Sequence, residues 1–395
     1  MTASLANQAF KQIGFCWALG THSGWGTYAL NFAAQCARNG ISPAIFWSEN
    51  DLVLTEEQAA LLGKPLEEVA RWNAMLGQGA TLDFPFLHAL GDNLEFLYPT
   101  LGVKGKPDVG VIFFETDQFS PENLARAQRF DLIIAGSTWN KELLERRGLK
   151  RVVFCPQGVD LSRFAPRPRQ NAFEGRFTVF SGGKLEVRKG QDITIAAFKR
   201  FHARHPDALL VTAWNSPWPQ IANSIAASDH VVGAPTVSAT GELEAPQWLV
   251  ANGLREDSFV TLRMLPNVVV PDLLKEIDLA VFPNRCEGGT NLAAMECMAM
   301  GVPVVLSRNT GHRDLIQDGN CYTLNQQKSV GEILGRPELA DWGESSVDEL
   351  VDRMEQAYNY RADAKARGEA GRAFMQSWDW SLQIDRCLAE IQKIA

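Results

Sequence analysis

Two carboxylates in one short stretch carry the strongest chemical signal in this chain. The stretch Asn284-Arg-Cys-Glu-Gly-Gly-Thr-Asn-Leu-Ala-Ala-Met-Glu-Cys-Met-Ala-Met-Gly-Val-Pro-Val-Val-Leu-Ser307 follows the apolar run Leu279–Phe282. It sets Glu287 before a Gly-Gly loop and Glu296 inside a helix of small and sulfur side chains. Backbone N–H groups of Gly288, Gly289, Thr290 and Asn291, running into Leu292, then lie at a helix N-terminus, whose partial positive charge suits a phosphate. Glu296, a turn or more along, can accept two hydrogen bonds from a diol such as ribose. Its neighbours Ala293, Ala294, Met295, Met298 and Ala299 are too apolar for a solvated helix face. The stretch therefore reads as a ligand site, against the plainer reading in which the glycines only turn a corner.

A second candidate is Phe180-Ser-Gly-Gly-Lys-Leu-Glu-Val-Arg-Lys-Gly190, at a strand end and ahead of a helix with Ile193, Ala196, Ala197 and Phe201 on one face. Gly182 and Gly183 allow close backbone approach, and Lys184, Arg188 and Lys189 can neutralise a diphosphate. A solvated basic turn is the alternative. A third is Gly20-Thr-His-Ser-Gly-Trp-Gly-Thr-Tyr28, where Gly24 and Gly26 open a helix that stops at Gly40; as a bare dinucleotide fingerprint it lacks the third glycine. A fourth is Glu115 in Phe114-Glu-Thr-Asp-Gln-Phe-Ser-Pro121. A carboxylate at a strand's end can orient an acceptor hydroxyl, take its proton or steady a cationic transition state. Tying down the loop is its alternative role. His22, His312 and Asp160 read as loop or structural residues. The Trp214–Pro219 loop reads as packing or as a stacking surface.

The first stretch resembles the nucleotide-sugar signature of glycosyltransferase family 4, Glu-Gly-Phe-Gly-x-Pro-x-x-Glu with a tail matched here by Met298-Ala299-Met300-Gly301-Val302-Pro303-Val304. The resemblance makes Glu296 the ribose ligand and sets Glu287 against the donor sugar. Residues 288–295 put one more residue between the two acids than the family signature has, and Gly-Gly-Thr-Asn replaces Gly-Phe-Gly. The second stretch resembles the family's Gly-Arg-x4-Arg-Lys-Gly element: Lys189 carries over as a diphosphate ligand, while the family's Arg falls on Gly183, with Lys184 as its substitute. The third resembles the family's N-terminal glycine loop, giving Gly24 and Gly26 a place near the donor phosphate, and Glu115 resembles the acidic variant of a residue facing the reacting centre. Ser137-Thr-Trp and Pro156-Gln-Gly-Val-Asp160 repeat family landmarks.

Elements must hold these residues in place, and the composition leaves room for them. The chain has 395 residues, 46% hydrophobic and 21% charged, enough for a large core and two domains. A net charge of −8 argues against a duplex nucleic-acid partner, which would want a basic face. Seven cysteines without a Cys-x2-Cys pair read as reduced buried thiols, and six scattered histidines without any Asp-x-Asp give no metal site. No apolar run spans a bilayer and Met1–Leu5 does not open a signal peptide, so a cytoplasmic protein is expected, with membrane association not indicated.

Short Val/Ile/Leu/Phe-rich runs alternate with helical patterns, as parallel strands buried on both faces require. Strands are expected at Ile13–Ala18, Ala44–Trp47, Val109–Phe114, Leu132–Ala135 and Arg151–Phe154. A second series is expected at Phe177–Ser181, Leu209–Thr212, Val268–Val270, Leu279–Phe282 and Val304–Leu306. The segment 163–171, bearing Pro166 and Pro168, reads as a linker. Ser346 to Glu349 starts a late helix with a capping box.

The resulting fold class is α/β, and the resemblance implies the GT-B architecture: two facing Rossmann-like domains with parallel sheets and a cleft between them. The expected divisions are an acceptor-side domain over 1–166, a donor domain over 167–375, and a C-terminal helix at 376–395 crossing back to the first domain. The expected activity is metal-independent, retaining transfer of a sugar from a nucleoside diphosphate sugar, a co-substrate rather than a cofactor, to a glycan, lipid-linked or small-molecule acceptor. The expected catalytic residues are Glu115, Glu287 and Lys189. A nucleotide-sugar epimerase and a noncatalytic sugar-nucleotide binding protein are the alternatives.

Overall fold

The structure, a computed structural model, describes residues 9–395 except 100, 101, 117, 217, 337, 338 and 340; Met1–Leu5, Asp117 and Pro217 thus lie outside the described residues. The chain divides into two units, 1–158 with 378–395, and 159–377. In the first unit, strands β1 (Gln12–Leu19), β2 (Ser42–Ser48), β3 (Phe86–Leu90), β4 (Asp108–Ile112), β5 (Leu132–Ala135) and β6 (Val152–Phe154) form one parallel sheet in the order β2-β1-β3-β4-β5-β6. In the second, β7 (Phe177–Gly182), β8 (Ala208–Ala213), β9 (Phe259–Thr261), β10 (Leu279–Phe282), β11 (Val304–Ser307) and β12 (Tyr322–Leu324) form another, ordered β12-β11-β10-β7-β8-β9. Both are doubly wound α/β folds. In the second sheet the winding reverses between β7 and β10, the place where such sheets open a crevice for ligands at their carboxyl ends.

Burial explains which runs became strands. Every residue of β7, β10 and β11 is buried, as strands covered on both faces must be. Behind them, Ile193, Ala197, Phe198 and Phe201 of the Gln191–His202 helix join the core of the second unit, whereas Ala196 lies off that face. The Val268–Val270 strand is not formed. Those residues make a 3₁₀ turn running into a short helix, with Pro271 in its first turn and Val268 and Val269 facing solvent. The third strand on that side is β9 instead. Central strand β3 escaped the sequence reading because His88 interrupts its apolar run; buried His88 sets its Nε2 2.7 Å from Asp108 Oδ1.

The segment 163–171 is not a free linker. It is tied to the second unit by Arg163 to Asn267 (2.7 Å), Arg167 to Asp272 (3.3 Å) and Arg169 to Asp278 (2.8 Å), and the division of the chain falls earlier, after Gly158. The C-terminal Trp380–Gln392 helix packs in the first unit, with Trp380 beside Tyr28 and Asp385 accepting from Gln35 and Asn39. Ser346 caps the Val347–Asn359 helix through Glu349 N–H, but the Glu349 carboxylate accepts from Gln326 N–H instead of closing the box. Among the described residues no helix is long and apolar enough to cross a membrane.

Candidate active site

The loops leaving β7 and β10, the two strands at the reversal, are laced together by charge. Arg285, wholly buried, grips Asp192 with two nitrogens at 2.8 and 2.6 Å and Glu344 with its Nε at 2.9 Å. One end of a guanidinium thereby fixes the β10 loop to the Gln191–His202 helix, which begins directly after the β7 loop. Two carboxylates around Arg285 hold it charged, its pKa displaced upward against the pull of burial.

Glu287 comes next. Its carboxylate accepts from Lys189 Nζ at 2.6 Å, from Arg188 Nη1 at 3.1 Å and from the Asn284 amide. Burial alone would raise its pKa, but the two cations hold it down at about 2, so it is an anion at any working pH. Arg188 also donates to Cys286 O (2.9 Å) and to Glu186 (2.5 Å). Lys184 turns to Glu186, 3.5 Å away. Gly183 sits at φ +109°, a conformation that only glycine adopts freely, with the Lys189 stem 3.8 Å from where a side chain would start.

The loop then enters the Leu292–Ala299 helix through Asn291, at φ +67° and ψ +89°. Asn tolerates positive φ better than most residues and caps helices well, and both properties are used here. Its oxygen accepts from Ala294 N–H at 3.4 Å, and its amide nitrogen lies 3.0 Å from His312 Nε2. His312 Nδ1 lies 3.0 Å from Ser307 Oγ, which donates to Asn284 O at 2.6 Å. Burial holds the His312 pKa down at about 4, leaving a neutral ring whose Nε2 accepts from Asn291. On the other side, a side chain at Gly311 would begin 1.7 Å from Gly289 O, and Thr310 Oγ accepts from Glu287 N–H at 2.8 Å. The additional residue between the two acids is thus absorbed by a left-handed cap pinned by His312. Leu292 and Ala293 hold the remaining first-turn N–H groups, which have no partner within the helix.

Glu296 is part-buried on that helix and accepts from Asn267 Nδ2 at 2.6 Å, while Asn267 Oδ1 accepts from Arg163 at 2.7 Å. Burial pushes its pKa up to about 7, only partly countered by Asn267 and Arg163. Nearby in sequence, Thr261, Arg263 and Met264 line a cavity of about 390 Å³ at the carboxyl ends of β8 and β9, together with Thr212, Trp214 and Asn215. Trp214 packs in the core and donates to Ser181 Oγ at 3.1 Å; Trp218 is exposed.

These second-unit residues converge on one edge, with Gly288, Gly289, Thr290 and Asn291 all buried. Of the first-unit candidates, Gly24 and Gly26 lie in the first turn of the Gly24–Arg38 helix, where Gly26 N–H is committed to the Ser23 cap at 3.0 Å and Gly26 backs against Gly20. Glu115 follows β4, its own N–H donating to Asp92 at 2.8 Å. Among the described residues, one group of side chains has metal-ligand atoms close together: His22, Glu49 and Asp51 in the first unit, within 4.8 Å of one another.

Residues 176–335 match the family described as glycosyl transferases group 1. The D-inositol 3-phosphate glycosyltransferase of Geodermatophilus obscurus is 31% identical over 272 residues, covering 60% of this chain and 55% of that protein. A GDP-mannose-dependent alpha-(1-6)-phosphatidylinositol monomannoside mannosyltransferase of Mycolicibacterium smegmatis is 26% identical over 254 residues, 60% of this chain and 54% of the relative. The match to that family lies wholly within the second unit. The chain spans about half the length of these curated relatives. Solved structures share its GT-B fold at low identity: Anabaena HepE in complex with UDP and glucose (TM-score 0.63, 16% identical, 96% of this chain and 98% of that one), and sucrose-phosphate synthase from Thermosynechococcus elongatus (0.63, 15%, 95% and 97%).

Four residues that shape the candidate site escaped the sequence reading: Arg285, Asp192, Asn267 and, taken there for a loop residue, His312. Arg285 and Asp192 are 93 residues apart, so no spacing rule pairs them. The one hint was an arginine three residues after a buried strand, where a charge needs a partner.

Removing Asp192 leaves Arg285 buried with one partner lost, so Asp192→Ala is expected to destabilise the protein by about 3–5 kcal/mol, read as a lower urea midpoint. Glu296 makes the opposite prediction. Its pKa is about 7 in the folded protein against an ordinary value of 4.5, so folding favours the protonated acid; that stabilisation is complete below pH 4.5 and lost as pH rises through 7. Glu296→Gln should therefore be the more stable protein at pH 8, by about 1–3 kcal/mol, with the gap closing towards pH 4.5. Parallel stability–pH curves for the two proteins would contradict the burial argument.

Proposed function

We propose that this protein is a family 4 glycosyltransferase that moves a sugar from a nucleoside diphosphate sugar to an acceptor hydroxyl, with retention of configuration and without a metal ion. The observation that carries the reading is the Glu287 carboxylate clamped by Lys189 and Arg188 beside the start of the Leu292–Ala299 helix, at the reversal of the sheet. Only a ligand with both a polyol and a strong anion makes use of that set. The diphosphate takes the first-turn N–H groups of Leu292 and Ala293, the Gly288–Asn291 loop and the two cations, with Lys184 close by. Glu296 takes the ribose hydroxyls, and the cavity beside Met264 takes the base. Glu287 faces the sugar.

As the bond from sugar to diphosphate breaks, its electron pair moves onto the leaving oxygen, and Lys189 shifts its share of charge from Glu287 towards the phosphate. Interactions that strengthen along this path lower the barrier. The acceptor oxygen forms the new bond from the same face and gives up its proton, with Glu115 proposed as the carboxylate that takes it. The relatives' names support a phosphorylated polyol or a lipid-linked glycan as acceptor, and a cytoplasmic setting belongs to the same proposal.

Screening nucleoside diphosphate sugars by thermal shift, then assaying transfer with the stabilising donor, tests this directly. A donor at 100 times its dissociation constant adds about 2.7 kcal/mol of stability. Binding without transfer or hydrolysis would mark a binding protein, and turnover independent of acceptor an epimerase; either overturns the proposal. Glu287→Gln is expected to lower turnover at least about a hundredfold while nucleoside diphosphate affinity changes less than about threefold, because the bare nucleotide lacks the sugar. Treatment with EDTA should leave transfer intact, since Lys189 and Arg188 neutralise the diphosphate; activity lost to EDTA and restored by manganese or magnesium would refute the metal-free mechanism.

A further inference from the structure

At the opposite edge of the second sheet lies a second cavity, of about 340 Å³, within the size range of small-molecule sites. Asp278 and Pro303 line it and immediately precede β10 and β11, so it opens at the amino ends of strands whose carboxyl ends carry the candidate active site. One strand of four residues separates the two edges, about 13 Å. Its lining is cationic in a chain of net charge −8: Arg167, Arg169, Lys275, Arg361 and Lys365, against the single lining carboxylate of Asp278.

These cations are under-neutralised. Arg169 and Arg361 share Asp278, at 2.8 and 3.9 Å; Arg167 and Lys275 share Asp272, at 3.3 and 3.0 Å; Lys365 faces Glu369 at 3.7 Å. Five cations thus divide three carboxylates, leaving two positive charges in excess among these paired groups, while buried Glu276, beside Lys275, spends its carboxylate on Gln170 and Ala172 N–H. Lys275 is no surface lysine, since its side chain is only 6% exposed. The 15-residue Arg361–Met375 helix also begins at the cavity with no side-chain cap, adding the positive end of its dipole. Arg361 is held in place by stacking over Phe177 and Tyr358, at 4.0 and 4.8 Å from the ring centres.

We propose that this cavity is a binding site for a phosphate monoester dianion, separate from the donor site and independent of its assignment. Its charge excess matches two negative charges, and arginine forks with a buried lysine suit phosphate oxygens. A free phosphorylated metabolite and a phospholipid headgroup present the same group.

Methyl NMR locates the binding. In full-length protein with labelled Ala and Met methyls, titration with inorganic phosphate should shift Ala357, Ala364 and Met300, which line the cavity. Flotation with phosphatidylcholine vesicles, with and without phosphatidic acid, tests the lipid source. The rim variant Arg167→Gln/Lys365→Gln, whose positions are exposed and therefore safe for folding, should weaken whichever response occurs by roughly ten- to a hundredfold. Shifts with phosphate but no flotation identify a free phosphate compound; flotation dependent on phosphatidic acid identifies a headgroup. The proposal is overturned if neither response occurs, or if either persists at full strength in the rim variant.

Discussion

A single buried guanidinium holds the candidate active site together. Arg285 has no exposed surface, and a charge so placed is tolerable only when it is fully paired. Asp192 and Glu344 supply that pairing, and they come from different parts of the unit: the helix after β7 and the small antiparallel ribbon formed by Gln327–Ser329 and Gly343–Ser345. The β10 loop cannot move without breaking this set, so Glu287, two residues on, inherits a fixed position.

From that anchor the electrostatics divide the two acids into different roles. Glu287 lies between two cations and stays ionised; Glu296, on the same helix-loop unit, has amide and distant guanidinium partners and titrates near neutrality. Two carboxylates of one sequence motif are driven apart by their surroundings, the usual mark of a site with distinct chemical tasks. The neutral ring of His312 completes the arrangement by fixing Asn291, which in turn sets the direction of the helix start towards which an anion is drawn.

The topology explains why all this gathers at one edge. Between β7 and β10 the winding of the sheet reverses, the place where such sheets gather ligand-binding loops at their carboxyl ends. The opposite edge of the same sheet collects Asp278, Arg169 and Arg361 around strand starts, where charge is stabilised by pairing rather than by loop geometry.

The fold class was legible in the sequence because strands buried on both faces leave near-continuous apolar runs, and Leu132–Ala135 and Leu279–Phe282 form with the expected bounds. The signature around Glu287 and Glu296 was equally legible, since its glycines and small helix residues are local requirements. What the sequence could not determine were the pairings across long separations: Arg285 with Asp192, Asn267 with Glu296, Asn291 with His312. Each depends on the winding order that brings segments following β7, β9, β10 and β11 to one place, and no local pattern records that order. The Val268–Val270 run shows the converse failure, in which three β-branched residues favoured a strand but Pro271 and an open flank made a turn. Local propensity sets what a segment prefers; burial on both sides, which only the tertiary structure supplies, decides whether that preference is kept.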